Sequence, residues 1–128
     1  MQPKDLKYTK THEWVKIKGK GNLATVGITD HAQSELGEIL FVELPQIGAL
    51  AKKDAIIGTV ESLEAFYEIL APVNGKIVEV NDELSEAPEK VNESPYHSGW
   101  MFTIEMSNPE EVNTLMSADD YEEFIKDH

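Results

Sequence analysis

The sequence predicts a mostly β domain with short helices, and three observations lead to this prediction. Residues 56–60 and 76–80 are short runs rich in β-branched residues, and the second run combines polar Lys76 and Glu79 with apolar residues; this pattern is typical of half-buried strands. Turn residues such as Asn74-Gly75 separate runs of this kind. The clearest helix signals lie near residue 29 and towards the C-terminus. With 128 residues, 41% of them apolar, the chain is the size of one domain, 1–128.

Composition and charge exclude several classes of function. The formal net charge is −13, from 24 acidic and 11 basic residues, which disfavours a nucleic-acid partner and favours a basic protein surface. The chain has no cysteine, so disulfides, thiolate catalysis and cysteine-based metal sites are excluded. No apolar run is long enough to span a membrane. Residues 1–5 lack the apolar core of a signal peptide, so we expect a cytoplasmic protein, or an organellar one if a presequence has been removed.

The first predicted elements are a hairpin and a short helix. Residues 8–17 and 23–28 are predicted strands joined by a glycine-rich turn at 19–22, with Trp14 buried. Thr29 or Asp30 can cap a helix over 29–36, and Gly37 can end it in a left-handed conformation. A single histidine on so short a helix, His31, is expected to be structural. Residues 38–45 form the next predicted strand, with Phe41 and Val42 in the core.

The central region, residues 56–80, is predicted to present a hairpin tip. The strand-like runs 56–60 and 76–80 lie at the ends of this region, the second being the last strand of the second arm. Pro72 cannot donate to a strand ladder and Asn74-Gly75 favours a turn, so the second arm should bend just before its last strand. The segment 61–65 between the arms is the predicted tip, centred on Leu63-Glu64. An exposed tip on two bent arms is suited to presenting one residue, Glu64.

The C-terminal part has weaker strand signals and stronger helix signals. Residues 81–92 and 93–100 are predicted loops, the first with one possible turn of helix, and 101–106 is the last predicted strand. Ser107 or Asn108, followed by a proline and two acids, indicates a helix start. A final helix is predicted over 118–126, packing through Tyr121, Phe124 and Ile125.

The tip and several separated motifs resemble one known family, the glycine cleavage system H proteins. Val60-Glu61-Ser62-Leu63-Glu64-Ala65 resembles the family's lipoylation motif. Further similar segments are Thr11-His12-Glu13-Trp14, Thr29-Asp30-His31-Ala32-Gln33, Ala71-Pro72-Val73-Asn74-Gly75, Val78-Glu79-Val80-Asn81, Ser94-Pro95-Tyr96 and Gly99-Trp100. The resemblance covers residues 8–125. It implies a barrel-sandwich hybrid, the fold of lipoyl and biotinyl carriers, with a C-terminal helical segment.

Glu64 is where the sequence departs from the family pattern. In the family, a lysine at this position carries lipoic acid through an amide, and a carboxylate cannot supply the amine nucleophile. No lysine lies nearby, because Lys52 and Lys53 precede the first arm and Lys76 follows the turn. We therefore expect residue 64 to be unmodified and the protein to have no bound cofactor, although lipoate is the family's cofactor. For an arbitrary protein, Glu64 would be a solvated charge at a turn.

Two further carboxylates take their interpretation from the resemblance. Glu13 and Glu68 match family positions that line a cleft for the loaded lipoyl arm. A carboxylate there would pair with the cationic amine of an aminomethyl cargo. The resemblance thus predicts that Glu13 and Glu68 lie near one groove, within reach of the tip.

Three functions are compatible with the sequence, and an enzyme is the least favoured class. His12, His31, His97 and His128 are scattered, and no catalytic or metal motif stands out. The first function is an H-protein-like component of glycine cleavage, with glycine decarboxylase, aminomethyltransferase, dihydrolipoyl dehydrogenase and lipoate ligase as partners implied by the resemblance. The second is a non-carrier paralogue acting as a scaffold, decoy or regulator of lipoyl-dependent enzymes. The third is weak cation binding or hydrolysis by Glu61, Glu64 and Glu68. Neither nucleic acid nor membrane is an expected partner.

Overall fold

Two antiparallel sheets form the body of the protein, as a computed structural model shows. The structure describes residues 2–126, so His128 lies outside the described part. Within this range, the larger sheet has six strands and the smaller sheet has three. The predicted fold class, mostly β with short helices, is confirmed, and across residues 2–126 the sheets do not close into a barrel.

The strands and helices are short. The strands are β1 (Lys7–Tyr8), β2 (Glu13–Lys18), β3 (Leu23–Ile28), β4 (Ile39–Glu43), β5 (Leu50–Ala51), β6 (Ile56–Ser62), β7 (Phe66–Leu70), β8 (Gly75–Val80) and β9 (Phe102–Met106). The larger sheet has the strand order β1-β2-β3-β9-β8-β5, and the smaller sheet has the order β4-β6-β7. The α-helices are α1 (Asp30–Leu36), α2 (Glu83–Glu86), α3 (Lys90–Glu93) and α4 (Ala118–Lys126), and Pro109–Thr114 is a 3₁₀ helix. None of the helices in residues 2–126 has the length and apolar character needed to cross a bilayer.

The main core lies between the two sheets. Val60 and Ile69 from the small sheet are fully buried with Val26, Ile77 and Ile104 from the large sheet. A second cluster, containing Tyr8, Trp14 and Tyr121, attaches α4 to the edge of the large sheet. The rings of Tyr8 and Tyr121 stack with centroids 4.8 Å apart. The N-terminal end of β2, which begins at Glu13, therefore lies between the two clusters.

The prediction that Phe41 belongs to the core is wrong. Val42 is buried as predicted, but Phe41 is 54% exposed and Leu40 is 49% exposed. The pairing of β4 with β6 shifts register between Ile39 and Phe41. Such a bulge changes the alternation of faces, so that an apolar residue can point outwards.

Two other local predictions need correction. The predicted opening strand 8–17 is divided into β1 and β2 by a turn in which His12 has φ 72°. Gly75 is not a turn residue: it begins β8, where an added Cβ would lie 2.2 Å from the Glu105 carbonyl oxygen. Only glycine allows so close an approach of two strands. The bend itself is present at Pro72-Val73.

The helix ends largely follow the predictions. Thr29 caps α1 by accepting a hydrogen bond from the amide of Ala32, and Gly37 follows the helix with φ 77° and ψ −154°. Because this ψ is far from the left-handed helical value, Gly37 uses a conformation open essentially to glycine alone. The 81–92 loop contains two short helices rather than one turn. The predicted helix after Asn108 is a 3₁₀ helix, capped by the Asn108 side chain.

Candidate functional site

The tip between β6 and β7 is a tight, internally bonded turn. The Ser62 amide donates to the Ala65 carbonyl over 2.9 Å, and the Ala65 amide donates to Ser62 Oγ over 3.1 Å. Leu63 is 83% exposed and Glu64 is also exposed. The local sequence thus produces a hairpin that presents the side chain of residue 64 to solvent.

The outward face of the small sheet beside the tip carries two aromatic rings among carboxylates. Phe41, Glu61 and Phe66 are cross-strand partners in one row, and all three are exposed. The next row along the same face contains Glu43, Thr59 and Glu68. Directly paired residues of antiparallel strands share a face, so Phe66 lies on the surface that a protein approaching the tip would contact.

Glu13 lies on the other side of β7, at the start of β2, and is fully buried. Its Oε1 accepts hydrogen bonds from the hydroxyls of Thr9 and Thr11, both at 2.5 Å. Its Oε2 is 2.9 Å from the Tyr67 hydroxyl and accepts from the Leu70 amide at 3.1 Å. These four partners come from the β1–β2 turn and from β7.

Burial raises the pKa of Glu13 above its ordinary value, although the hydrogen bonds from Thr11, Thr9, Leu70 and Tyr67 oppose the shift. Burial also raises the pKa of Tyr67, with the neighbouring Glu13 carboxyl adding to the effect. The tyrosine hydroxyl is therefore protonated at any physiological pH. The two side chains form a hydrogen-bonded pair in which Glu13 is buried and Tyr67 is partly buried.

We expect Glu13→Gln to gain stability relative to the wild type as the pH rises. A carboxyl whose pKa is raised on folding stabilises the native state most below its unfolded pKa, about 4.5, and loses that contribution as the pH rises through its folded pKa. Glutamine is neutral throughout. The difference in unfolding free energy should grow above pH 4.5 by at most about 1.4 kcal/mol per pH unit.

Urea unfolding of both proteins between pH 4 and pH 8 measures this difference. Glu68→Gln, which removes an exposed carboxylate from β7, controls for the change in net charge. A difference between Glu13→Gln and wild type that stays constant over this range would contradict the expectation.

Glu13 and Glu68 lie beside two adjoining grooves. Glu13 lines a groove of about 230 Å³ together with Lys10, Lys53 and Leu70. Glu68 is exposed and lines a second opening that shares Lys10, Thr11 and Leu70 with the first. The predicted role of both carboxylates in receiving a lipoyl arm stays a prediction.

Sequence reasoning missed the residues that surround Glu13. Thr9 and Thr11, four and two positions before it, were the only local signal of a hydrogen-bonded carboxyl. Tyr67 is separated from Glu13 by 54 positions, so no local pattern relates them. Within residues 2–126, no group of three or more histidine or acidic side chains is arranged to hold a metal ion.

Comparisons with known proteins agree on one family. The sequence model described as "Glycine cleavage H-protein" matches residues 6–128. Glycine cleavage system H proteins of Oceanobacillus iheyensis and Bacillus subtilis are 54% and 51% identical over 125 residues, covering 98% of this chain and 98% and 97% of theirs. A crystal structure of a glycine cleavage system H protein from Mycobacterium marinum matches with a TM-score of 0.89 and 32% identity, covering 98% of this chain and 99% of that chain.

Proposed function

This chain belongs to the glycine cleavage H-protein family, and we propose that it is a member that does not carry lipoate. The family consists of lipoyl carriers rather than enzymes. The single observation behind the proposal is Glu64, which occupies the exposed tip at the position we assign to the lipoyl-lysine. A glutamate offers no amine that could be acylated.

The residues present do not fit a lipoyl group. Residues 54–75, which include both strands of the hairpin, contain no lysine. Lys53 extends away to the Thr114 hydroxyl, 2.9 Å from its Nζ. Glu13, the proposed partner of an aminomethyl cargo, already has four hydrogen-bonding partners within the chain. These residues therefore support no transfer step through a lipoyl arm.

The fold and the presented tip are retained, and they support a binding role. By family membership, the proposed partners are glycine decarboxylase, aminomethyltransferase and dihydrolipoyl dehydrogenase. The carboxylates beside Phe41 and Phe66 would favour a basic partner surface. In this role the protein is a scaffold, decoy or regulator of lipoyl-dependent enzymes. Its cytoplasmic location stays a prediction.

We expect the wild-type protein to acquire no lipoyl adduct. The measurement is the intact mass after expression, and again after incubation with lipoate ligase, lipoate and nucleotide. A lipoylated H protein treated in parallel is the positive control. An adduct on the wild type would overturn the proposal.

The binding role is tested by adding an excess of the wild-type protein to the glycine cleavage enzymes working with a lipoylated H protein. A decoy lowers the rate in a way that more of the lipoylated H protein reverses, whereas a scaffold raises it. An unchanged rate at high excess would contradict the binding role without affecting the statement on lipoylation.

A further inference from the structure

We propose that Tyr67 is a built-in plug, which takes the place on the Glu13 carboxyl that a small primary ammonium guest would occupy. The inference depends on the proposed function only for the kind of guest. It goes beyond that function because it predicts that the groove stays closed to a cationic cargo whatever residue stands at position 64.

The acceptor sites of the Glu13 carboxyl are already filled by hydrogen bonds. A carboxylate has about four lone-pair sites. Thr9 and Thr11 take two of them on Oε1, and the Leu70 amide takes one on Oε2. Tyr67 lies 2.9 Å from the remaining site on Oε2. An ammonium group could reach Glu13 only by displacing one of these partners.

The Tyr67 proton closes the Glu13 carboxyl to a cation in either of its two possible positions. The hydroxyl has one proton but lies close to two acceptors, Glu13 Oε2 and the Thr11 carbonyl oxygen. If Tyr67 donates to Glu13, the last site on the carboxylate is filled. If Tyr67 donates to Thr11, the Glu13 carboxyl itself holds the proton between the two oxygens and is neutral. Either arrangement removes the charged, unfilled acceptor that an ammonium group requires.

Charged side chains surround both openings beside Glu13. Lys10, Lys53 and Asp54 line the groove that Glu13 lines, and Tyr67 lines the adjoining opening with Lys10 and Glu68. A cation entering from either opening would therefore meet Lys10. Among the residues described at these openings, the buried carboxyl is Glu13, and Tyr67 occupies its remaining acceptor site. Tyr67 itself is anchored in β7 opposite Val60, which is fully buried, so the plug is held in place by the sheet.

The test is a titration with methylammonium, followed through the amide NMR signal of Leu70, whose N–H bonds Glu13. We expect saturable binding to Tyr67→Ala that is at least about tenfold tighter than to the wild type, because one hydrogen bond to a charged group is worth about 1.5 kcal/mol or more. Tyr67→Phe, which keeps the ring but loses the hydroxyl, should bind with intermediate affinity.

Three controls separate the plug from a general loosening of the fold. Methanol, a neutral probe of similar size, should give no saturable shift in any variant. Adding Glu13→Gln to Tyr67→Ala should abolish methylammonium binding, because the charge is gone. Tyr96→Phe removes a tyrosine hydroxyl that bonds Gln2 and the Asp30 amide instead, and should bind no better than the wild type.

The inference is overturned if the wild type binds methylammonium as tightly as the folded Tyr67 variants do. If Tyr67→Ala fails to fold by circular dichroism, Tyr67→Phe decides alone. A lipoyl adduct on the wild type would overturn the proposed function but not this inference, since the titration involves no lipoate.

Discussion

Glu64→Lys is expected to change the protein from one that takes no lipoyl group to one that takes a single lipoyl group on part of the molecules. The substitution supplies the missing amine on a side chain that the Ser62–Ala65 turn already presents to solvent. A lysine at such a tip can become the neutral nucleophile that acylation needs. The measurement is intact mass after incubation with lipoate ligase, lipoate and nucleotide.

Glu61→Lys is the matched control for Glu64→Lys. It makes the same change of charge on an exposed residue of β6, three positions from the tip. A ligase that recognises the tip should leave it unmodified. Equal modification of both variants would indicate unspecific acylation, and no adduct on Glu64→Lys would show that the recognition surface has been lost along with the lysine.

The two aromatic residues beside the tip should differ in their effect on this modification. Phe66 is 59% exposed on the outward face, so Phe66→Ser in the Glu64→Lys background should raise the modified fraction by clearing the approach. From the sequence alone, Phe66 and Tyr67 are both bulky residues beside the tip, so both are expected to hinder the approach of the ligase. In the structure the two residues differ, because the Tyr67 hydroxyl is hydrogen-bonded to Glu13 and to the Thr11 carbonyl on the other side of β7. Replacing Tyr67 should therefore perturb the buried Glu13 site rather than simply expose the tip.

Trp14→Ala is expected to lower the free energy of unfolding by about 3–5 kcal/mol, the usual cost of removing a large buried aromatic ring. Trp14 is 1% exposed, and its indole N–H donates to the Pro95 carbonyl over 2.9 Å. The ring covers its cross-strand partner Gly27, where an added Cβ would lie 2.7 Å from indole atoms. The cavity cannot easily close, because β3 lies directly beneath the ring. Urea unfolding measures the loss.

Trp100→Ala provides the comparison for Trp14→Ala. Trp100 is only partly buried and packs at the edge of the second cluster, so its removal should cost clearly less. Equal losses for the two variants, or a loss below about 1 kcal/mol for Trp14→Ala, would show that the indole does not support the end of β2 as described.

Several elements could be predicted from the sequence because their causes are local. Thr29 has the side chain that caps a helix, and the glycine-rich segment after β2 provides the turn of the first hairpin. The β-branched run 76–80 predicts β8 within one residue of its observed start. The bulge in β4 could not be predicted in this way, because it depends on how Ile39 and Phe41 pair with β6.

By itself, the sequence determined that residue 64 is a carboxylate at a turn, and therefore that this position has no amine to acylate. Side-chain chemistry and a short turn suffice for that statement, so no tertiary contact was needed. Only the tertiary structure decided the burial and the hydrogen bonding of Glu13. Its partners on β7 are Tyr67 and Leu70, which lie 54 and 57 positions away in the chain. Packing the two sheets together buries this carboxyl and fills its hydrogen-bonding sites, and no local pattern in the chain specifies which distant side chain will do so.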